Sequence, residues 1–258
     1  FRKLPEVAQK LERQGIDCAI SFEGPHDPFF PVLRAAERTE RLELATGVAI
    51  AFARNPMICA QIAYDLQVYT KGRFILGLGS QIKPHIEKRF SMPWSKPTAR
   101  MREFVQAIRA IWHTWETNDR LDFRGEFYTH TLMTPVFNPG PNPEGLPPIF
   151  TAGVGPRMIE IAGEVADGLY VHPLNTHSYL ADVVRPALDR GLGGEREPST
   201  LVALDRLQLR LKKHRALSET LEKRITHGDE AAQADLYVRL AALQAEEFQD
   251  ETAALGSL

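Results

Sequence analysis

The chain alternates short apolar runs with amphipathic stretches of helical length, and this alternation limits the folds open to it more than any other feature. Residues 16–22, 41–50, 73–79, 148–154 and 168–171 read as strands, and residues 4–14, 29–39, 56–70, 97–115 and 156–165 read as helices. In the first helix Leu4, Val7, Ala8 and Leu11 recur at helical spacing, and Gly15 follows where a helix commonly ends. Strands that are apolar on both faces, each followed by a helix, predict parallel βα units with the helices packed outside the sheet.

Three stretches break the rhythm. Residues 80–97 are polar and Pro-containing and read as an insertion at the C-terminal end of a strand. Residues 117–147, with Phe123, Phe127, Tyr128 and Phe137, are too long and too apolar for a linker and are expected to cover something. Beyond residue 198 the sequence is dense in Leu, Ala, Glu, Lys and Arg and reads as a helical hairpin turning at Thr226 to Asp229. The expected organisation is therefore a βα domain over 1–198 and a hairpin tail over 199–258.

Composition excludes several classes of function. Lys and Arg number 31 against 33 Asp and Glu, so the chain lacks the basic excess that would favour nucleic acid. The longest nearly apolar stretch, residues 44–53, falls short of the ~20 residues a membrane helix requires. The chain opens on Phe1 without a secretory pattern, and Cys18 and Cys59 sit in apolar segments without CxxC surroundings. They read as reduced core thiols of a cytoplasmic protein. No HExxH, CxxC or EF-hand pattern occurs, so no metal site is expected; GxSxG, GxGxxG and the Walker pattern are absent too.

In an α/β barrel, chemistry collects at the C-terminal ends of the strands. After the first apolar run stand Glu23, Gly24, Pro25, His26 and Asp27, where Glu23 and His26 are candidates for proton transfer and Asp27 is a candidate cap for the following helix. The second run passes through Gly47, Val48 and Ala49, small residues against which a flat ring could lie, or which form a tight bulge at the rim. The third ends in Gly77-Leu78-Gly79-Ser80-Gln81. The fourth ends in Ala152-Gly153-Val154-Gly155 and enters a helix at Pro156, where free N–H groups suit a phosphate; close strand-to-helix packing is the competing reason for those glycines.

Residues 15–21 (GIDCAIS), Asp27-Pro28-Phe29, residues 39–48 (TERLELATGV), Arg54-Asn55-Pro56, residues 71–79 (KGRFILGLG) and Ala166-Asp167-Gly168 resemble the luciferase-like monooxygenase superfamily. Residues 84–94 (PHIEKRFSMPW) and 124–128 (RGEFY) are similar to its coenzyme F420-dependent oxidoreductase branch. The resemblance implies a TIM-type (β/α) barrel that holds the deazaflavin F420, or alternatively FMN, at its C-terminal mouth. It implies hydride transfer between the deazaflavin C5 and a small organic substrate, with a homodimer as the assembly. It places a non-prolyl cis peptide at Gly47-Val48, the cofactor phosphate at Ala152, Gly153, Val154 and Gly155, and a mouth lined by Ala49, Gly77, Gly79, Ser80 and Gln81.

Two departures from the family pattern stand out. The strand expected before the first helix is absent, and the tail after residue 198 does not resemble the family's further βα units, so the barrel is expected to be incomplete. Some members carry a His directly after the second barrel strand, where this chain has Glu23-Gly24, with His26 further on. A non-catalytic barrel fragment whose hairpin drives association is the alternative from outside the enzyme class.

Overall fold

A computed structural model describes residues 2–193; the tail expected to form a hairpin lies outside them. The first unit is α1 (Leu4–Arg13) and β1 (Cys18–Ser21), followed by α2 (Phe29–Ala36), β2 (Glu43–Thr46) and the short β3 (Ala49–Ile50). Next come α3 (Pro56–Tyr69), β4 (Phe74–Gly79), α4 (Lys83–Lys88) and α5 (Pro97–Thr117). A two-stranded hairpin of β5 (Phe123–Arg124) and β6 (Thr129–His130) precedes β7 (Ile149–Ala152), α6 (Pro156–Val165) and β8 (Gly168–Tyr170). The described part closes with α7 (His177–Tyr179), a π-helical segment at Leu180–Val184 and α8 (Arg185–Gly193).

The element boundaries have local causes. α1 carries Pro5 in its first turn, Glu6 near its positive end and Lys10 and Arg13 near its negative end, and the chain leaves it through Gly15 at φ +79°. The Asn55 side chain accepts the Met57 N–H at 2.8 Å, and Pro56 fills the first position of α3. α5 runs from Pro97 until Asn118 turns left-handed at φ 64°. Residues 174–193 carry no strong helical signal, because Pro186 sits inside the segment. Proline has no N–H to give, and the widened π-type turn just before it keeps the chain helical across that gap.

All pairings in the main sheet are parallel, in the order β1-β2-β4-β7-β8, with β3 also pairing β4. The expected second strand is thus one path broken in the middle: β2 meets β4 at Ala45 and Ile75, and β3 meets it again at Ala49 and Leu78. Register sorts the two faces. Ile20 pairs with Ala45, Ala45 with Ile75, Gly77 with Phe150, and Phe150 with Gly168, so these residues share the concave inner face with Tyr170. The other face carries Leu44, Phe74, Leu76, Leu78 and Ile149, which join Met101, Phe104, Ile108, Ile111 and Trp112 of α5 in one buried core. Burying an aromatic or aliphatic side chain there contributes roughly 1.5–3 kcal/mol. The result is a partial α/β barrel over the described residues.

The segment between α5 and β7 covers the core, as its apolar residues suggest. Tyr128 is buried edge-on to Phe104, and Phe123 and Phe127 pack on the same cluster. Trp94 packs edge-on to Phe52 at 5.7 Å. These aromatics serve the core, and Phe137 stays exposed.

The loop entering β2 is held by one carboxylate. Glu12 accepts the backbone N–H groups of Glu40, Arg41 and Leu42 at 2.9, 2.6 and 2.7 Å. Burial alone would raise its pKa, but the three hydrogen bonds and the Arg41 charge outweigh it and hold the group below its ordinary 4.5. A carboxylate with a lowered folded-state pKa adds stability that is present above the ordinary value and is lost as pH falls through the lowered one. Glu12→Gln is therefore expected to flatten the fall in stability below pH 4.5, measured by denaturant titration at several pH values; an unchanged slope contradicts this role.

Candidate functional site

The C-terminal ends of the strands meet at the break between β2 and β3. The Gly47-Val48 peptide is cis, as the resemblance implies. The break is held from both sides. Gly47 N–H donates to Ser21 O at 2.7 Å, and the Thr46 hydroxyl donates to Gly77 O at 2.8 Å while accepting the Gly77 N–H at 2.9 Å. A side chain thus supplies the pairing that the bulged backbone gives up. A Cβ on Gly77 would lie 1.7 Å from Thr46 O and 2.5 Å from the Tyr170 ring, so the bulge itself requires glycine there. One on Gly79 would strike the Val48 side chain at 2.6 Å.

Glu23 reaches this bulge from the loop after β1. Its N–H donates to Val48 O at 3.3 Å, and its carboxylate accepts the Ile50 N–H at 2.7 Å and an Arg54 Nη1 hydrogen bond at 2.5 Å. Arg54 also donates to Ile50 O at 3.1 Å and Asp27 Oδ2 at 3.0 Å, and lies 5.6 Å from the centre of the Phe29 ring. Burial alone would pull the Arg54 pKa down, yet the bonds and charges of Glu23 and then Asp27 overcome it and raise it. Asp27 additionally accepts the Phe29 N–H at 2.9 Å, so it caps α2 as well as pairing with Arg54. Arg54 was visible only as part of Arg54-Asn55-Pro56. The available signal was an Arg directly after an apolar run, since a buried guanidinium requires carboxylate partners and two stand at the neighbouring strand end.

The remaining candidates surround the same mouth. Ser80 Oγ donates to Gln81 O at 3.1 Å, and Gln81, at φ 59°, accepts the Ile82 N–H on its own side chain. Arg89, just past α4, donates to Gly24 O at 2.7 Å and so ties the insertion after β4 to the loop after β1. Ala152 lies on the inner face in register with Tyr170. Gly153 lets α6 close on β7, because a Cβ there would sit 3.1 Å from Ile159 N. Val154 is exposed, and its carbonyl accepts the Tyr179 hydroxyl at 2.8 Å. Gly155 has open space where its Cβ would be, directly at the N-terminus of α6.

His26 is exposed on the loop after β1 and lines a cavity of about 500 Å³ with Leu4, Val7, Leu11, Ile20 and Phe22. That cavity is lined by α1, α2, β1 and the loop after β1, and Ile20, one of its walls, also packs against Gly47 at the bulge. Among the described residues β1 pairs only with β2, so its outer edge borders this space. Cys59 is fully buried, and loss of solvent pushes its thiol up to about 12, too high for a reactive thiolate. Among the described residues no cluster of three or more His, Cys, Asp or Glu could hold a metal ion, and no helix is long and apolar enough to cross a membrane.

Two features fit a flat ring with an anionic tail. The inner face near the bulge carries Ala45, Gly47, Gly77 and Gly79, and the neighbouring helix start offers N–H groups beside a glycine that packing does not demand. The comparisons agree with the geometry. The family model for luciferase-like monooxygenases matches residues 1–199. An uncharacterized Mycobacterium tuberculosis protein is 58% identical over 187 residues, covering 72% of this chain and 55% of that protein. The F420-dependent glucose-6-phosphate dehydrogenase of Nocardia farcinica is 31% identical over 205 residues, covering 74% of this chain and 59% of the enzyme. The chain thus spans little more than half the length of these relatives.

Among solved structures, an F420-dependent secondary alcohol dehydrogenase in complex with an F420-acetone adduct superposes with TM-score 0.63 at 21% identity, over 76% of this chain and 61% of that one. The oxygenating constituent of 3,6-diketocamphane monooxygenase from Pseudomonas putida, in complex with FMN, gives 0.59 at 17%, over 77% and 60%. At these identities the structures speak for the fold. The bulged second strand, the glycine-lined mouth and the match over residues 1–199 together make this chain a member of the luciferase-like monooxygenase family.

Proposed function

We propose that this chain carries the cofactor-binding part of an F420-dependent oxidoreductase that moves a hydride between the deazaflavin and a small organic substrate. The observation that carries the reading is the bulge between β2 and β3, set on the inner face beside Gly77 and Gly79 of β4, with the open start of α6 at Gly155 following β7, the next strand of the sheet. The F420-dependent relatives favour the deazaflavin, and the FMN-bound neighbour keeps FMN as the second reading. When bound, the deazaflavin supplies the hydride donor or acceptor at C5.

The protein's share is placement. Gly47 and Val48 back the ring, whereas Ala49, offered by the sequence as a further contact, pairs with Leu78 and is buried in the core behind the sheet; Gly77, Gly79, Ser80 and Gln81 line the mouth; Ala152, Gly153, Val154 and Gly155 receive the phosphate. A helix N-terminus contributes at most ~2 kcal/mol to such an anion, so backbone N–H groups and ring contact share the work. Proton exchange falls to the loop after β1, where His26 stands exposed and where Glu23 is engaged by Ile50 and Arg54.

The test is equilibrium titration of the chain with F420 and with FMN, followed by quenching or an absorbance shift. Saturable F420 binding, tighter than FMN, is expected, with His26→Asn binding F420 as well as the parent. The reverse preference would favour the FMN reading, and no signal with either cofactor would remove the proposal. A tenfold affinity loss in His26→Asn would make His26 a ring contact instead of a proton carrier.

A further inference from the structure

We infer that Glu23 and Arg54 form a clamp that fixes the bulge behind the ring, which makes Glu23 a positioning residue that sets cofactor affinity. The inference rests on the oxidoreductase reading above and adds to it a role for a charged pair that the sequence pattern offered as proton-transfer chemistry.

Geometry carries it. Glu23 touches the bulge at two points on the far side of the Gly47-Val48 link, through its own N–H to Val48 O and through its carboxylate to Ile50 N–H. The near side is held separately by Ser21 O on Gly47 N–H and by the Thr46 hydroxyl on Gly77. Without Glu23, none of the hydrogen bonds named here holds the Val48 carbonyl or the Ile50 N–H at the bulge. The carboxylate is only 7% exposed and the Arg54 side chain 14%, whereas Asp27, the second counter-charge, is 37% exposed. Glu23 is therefore the partner that a buried guanidinium needs most.

A carboxylate with one oxygen committed to a backbone N–H and to a guanidinium is a poor proton shuttle, because protonating it would break the pair. It is a good anchor for the same reason. The charged groups facing it are Arg54 directly and Asp27 through Arg54.

The experiment compares the parent chain, Glu23→Ala and Glu23→Gln by residue-resolved amide hydrogen exchange without cofactor and by F420 titration. Glu23→Ala is expected to speed exchange at Ile50 by about tenfold or more, the scale of a lost charge-assisted hydrogen bond, with β4 and α3 unchanged. Its F420 dissociation constant should rise by about tenfold. Glu23→Gln, which keeps the shape and a carbonyl acceptor, should shift both in the same direction by less, and it carries the test if the alanine variant does not fold.

Parent-like exchange at Ile50 and parent-like F420 affinity in a folded variant would overturn the clamp. A general rise in exchange across the sheet would also overturn it, since Glu23 would then be a global stabiliser. If the parent binds no F420, the oxidoreductase reading fails and the affinity role with it, while exchange at Ile50 still shows whether the pair holds the bulge.

Discussion

Asp167→Asn is expected to lower the unfolding free energy by about 3–5 kcal/mol, the usual cost of leaving one buried charge without its partner. Asp167 has no exposed side-chain surface and Arg109 is 7% exposed. Arg109 Nη2 lies 3.0 and 2.9 Å from the two Asp167 oxygens, and it also donates to Val165 O at 3.1 Å. The Asp167 carboxylate accepts the Ile149 N–H at 2.8 Å, and its backbone N–H donates to Ile149 O at the same distance. One residue thus joins α5, the start of β7 and the entry to β8. The asparagine variant keeps the shape but strands the guanidinium. Denaturant unfolding should show a lower midpoint at unchanged slope. A change below about 1 kcal/mol would mean that the site admits water and the pair is not buried in solution.

Gly77→Ala is expected to cost about 1–3 kcal/mol or more, because the added methyl meets backbone that cannot yield without opening β2 from β4. Its Cβ would stand 1.7 Å from Thr46 O, and the Thr46 hydroxyl bonds on both sides of Gly77 depend on the same approach. F420 binding should weaken with it, since the bulge would move. Gly155→Ala is the matched control. Its Cβ enters open space at an ordinary φ of −77°, so stability should stay within about 0.5 kcal/mol of the parent while F420 affinity falls. Equal stability losses in both variants would refute the division of these glycines into a packing set and a ligand set.

Periodicity made the strands and helices legible, because burial on both faces leaves each parallel strand a short unbroken apolar run. Strand ends shortened by a few residues in the structure: the run at 148–154 pairs only over Ile149–Ala152, since Gly153 already turns toward α6. The break within residues 41–50 was open in the residues, where Gly47 allowed either a ring contact or a tight bulge, and only the family likeness placed a cis link at Gly47-Val48. What single-sequence reading could not supply was partnership. Arg54, Arg109 and Glu12 look like ordinary surface charges until the fold sets a carboxylate, a carbonyl or three N–H groups beside them. Helix α8 was hidden by Pro186, which in the structure sits at its second residue.

In the proposed binding mode a deazaflavin ring rests on the bulge of the second strand with its phosphate at the start of α6. Hydrogen exchange of the chain at saturating F420 tests it most directly. New protection is expected at residues 46–50, 77–81 and 152–157. Protection confined to the α1 side of the cavity, around Leu4, Val7 and Leu11, would contradict it, as would saturation with no change at the bulge.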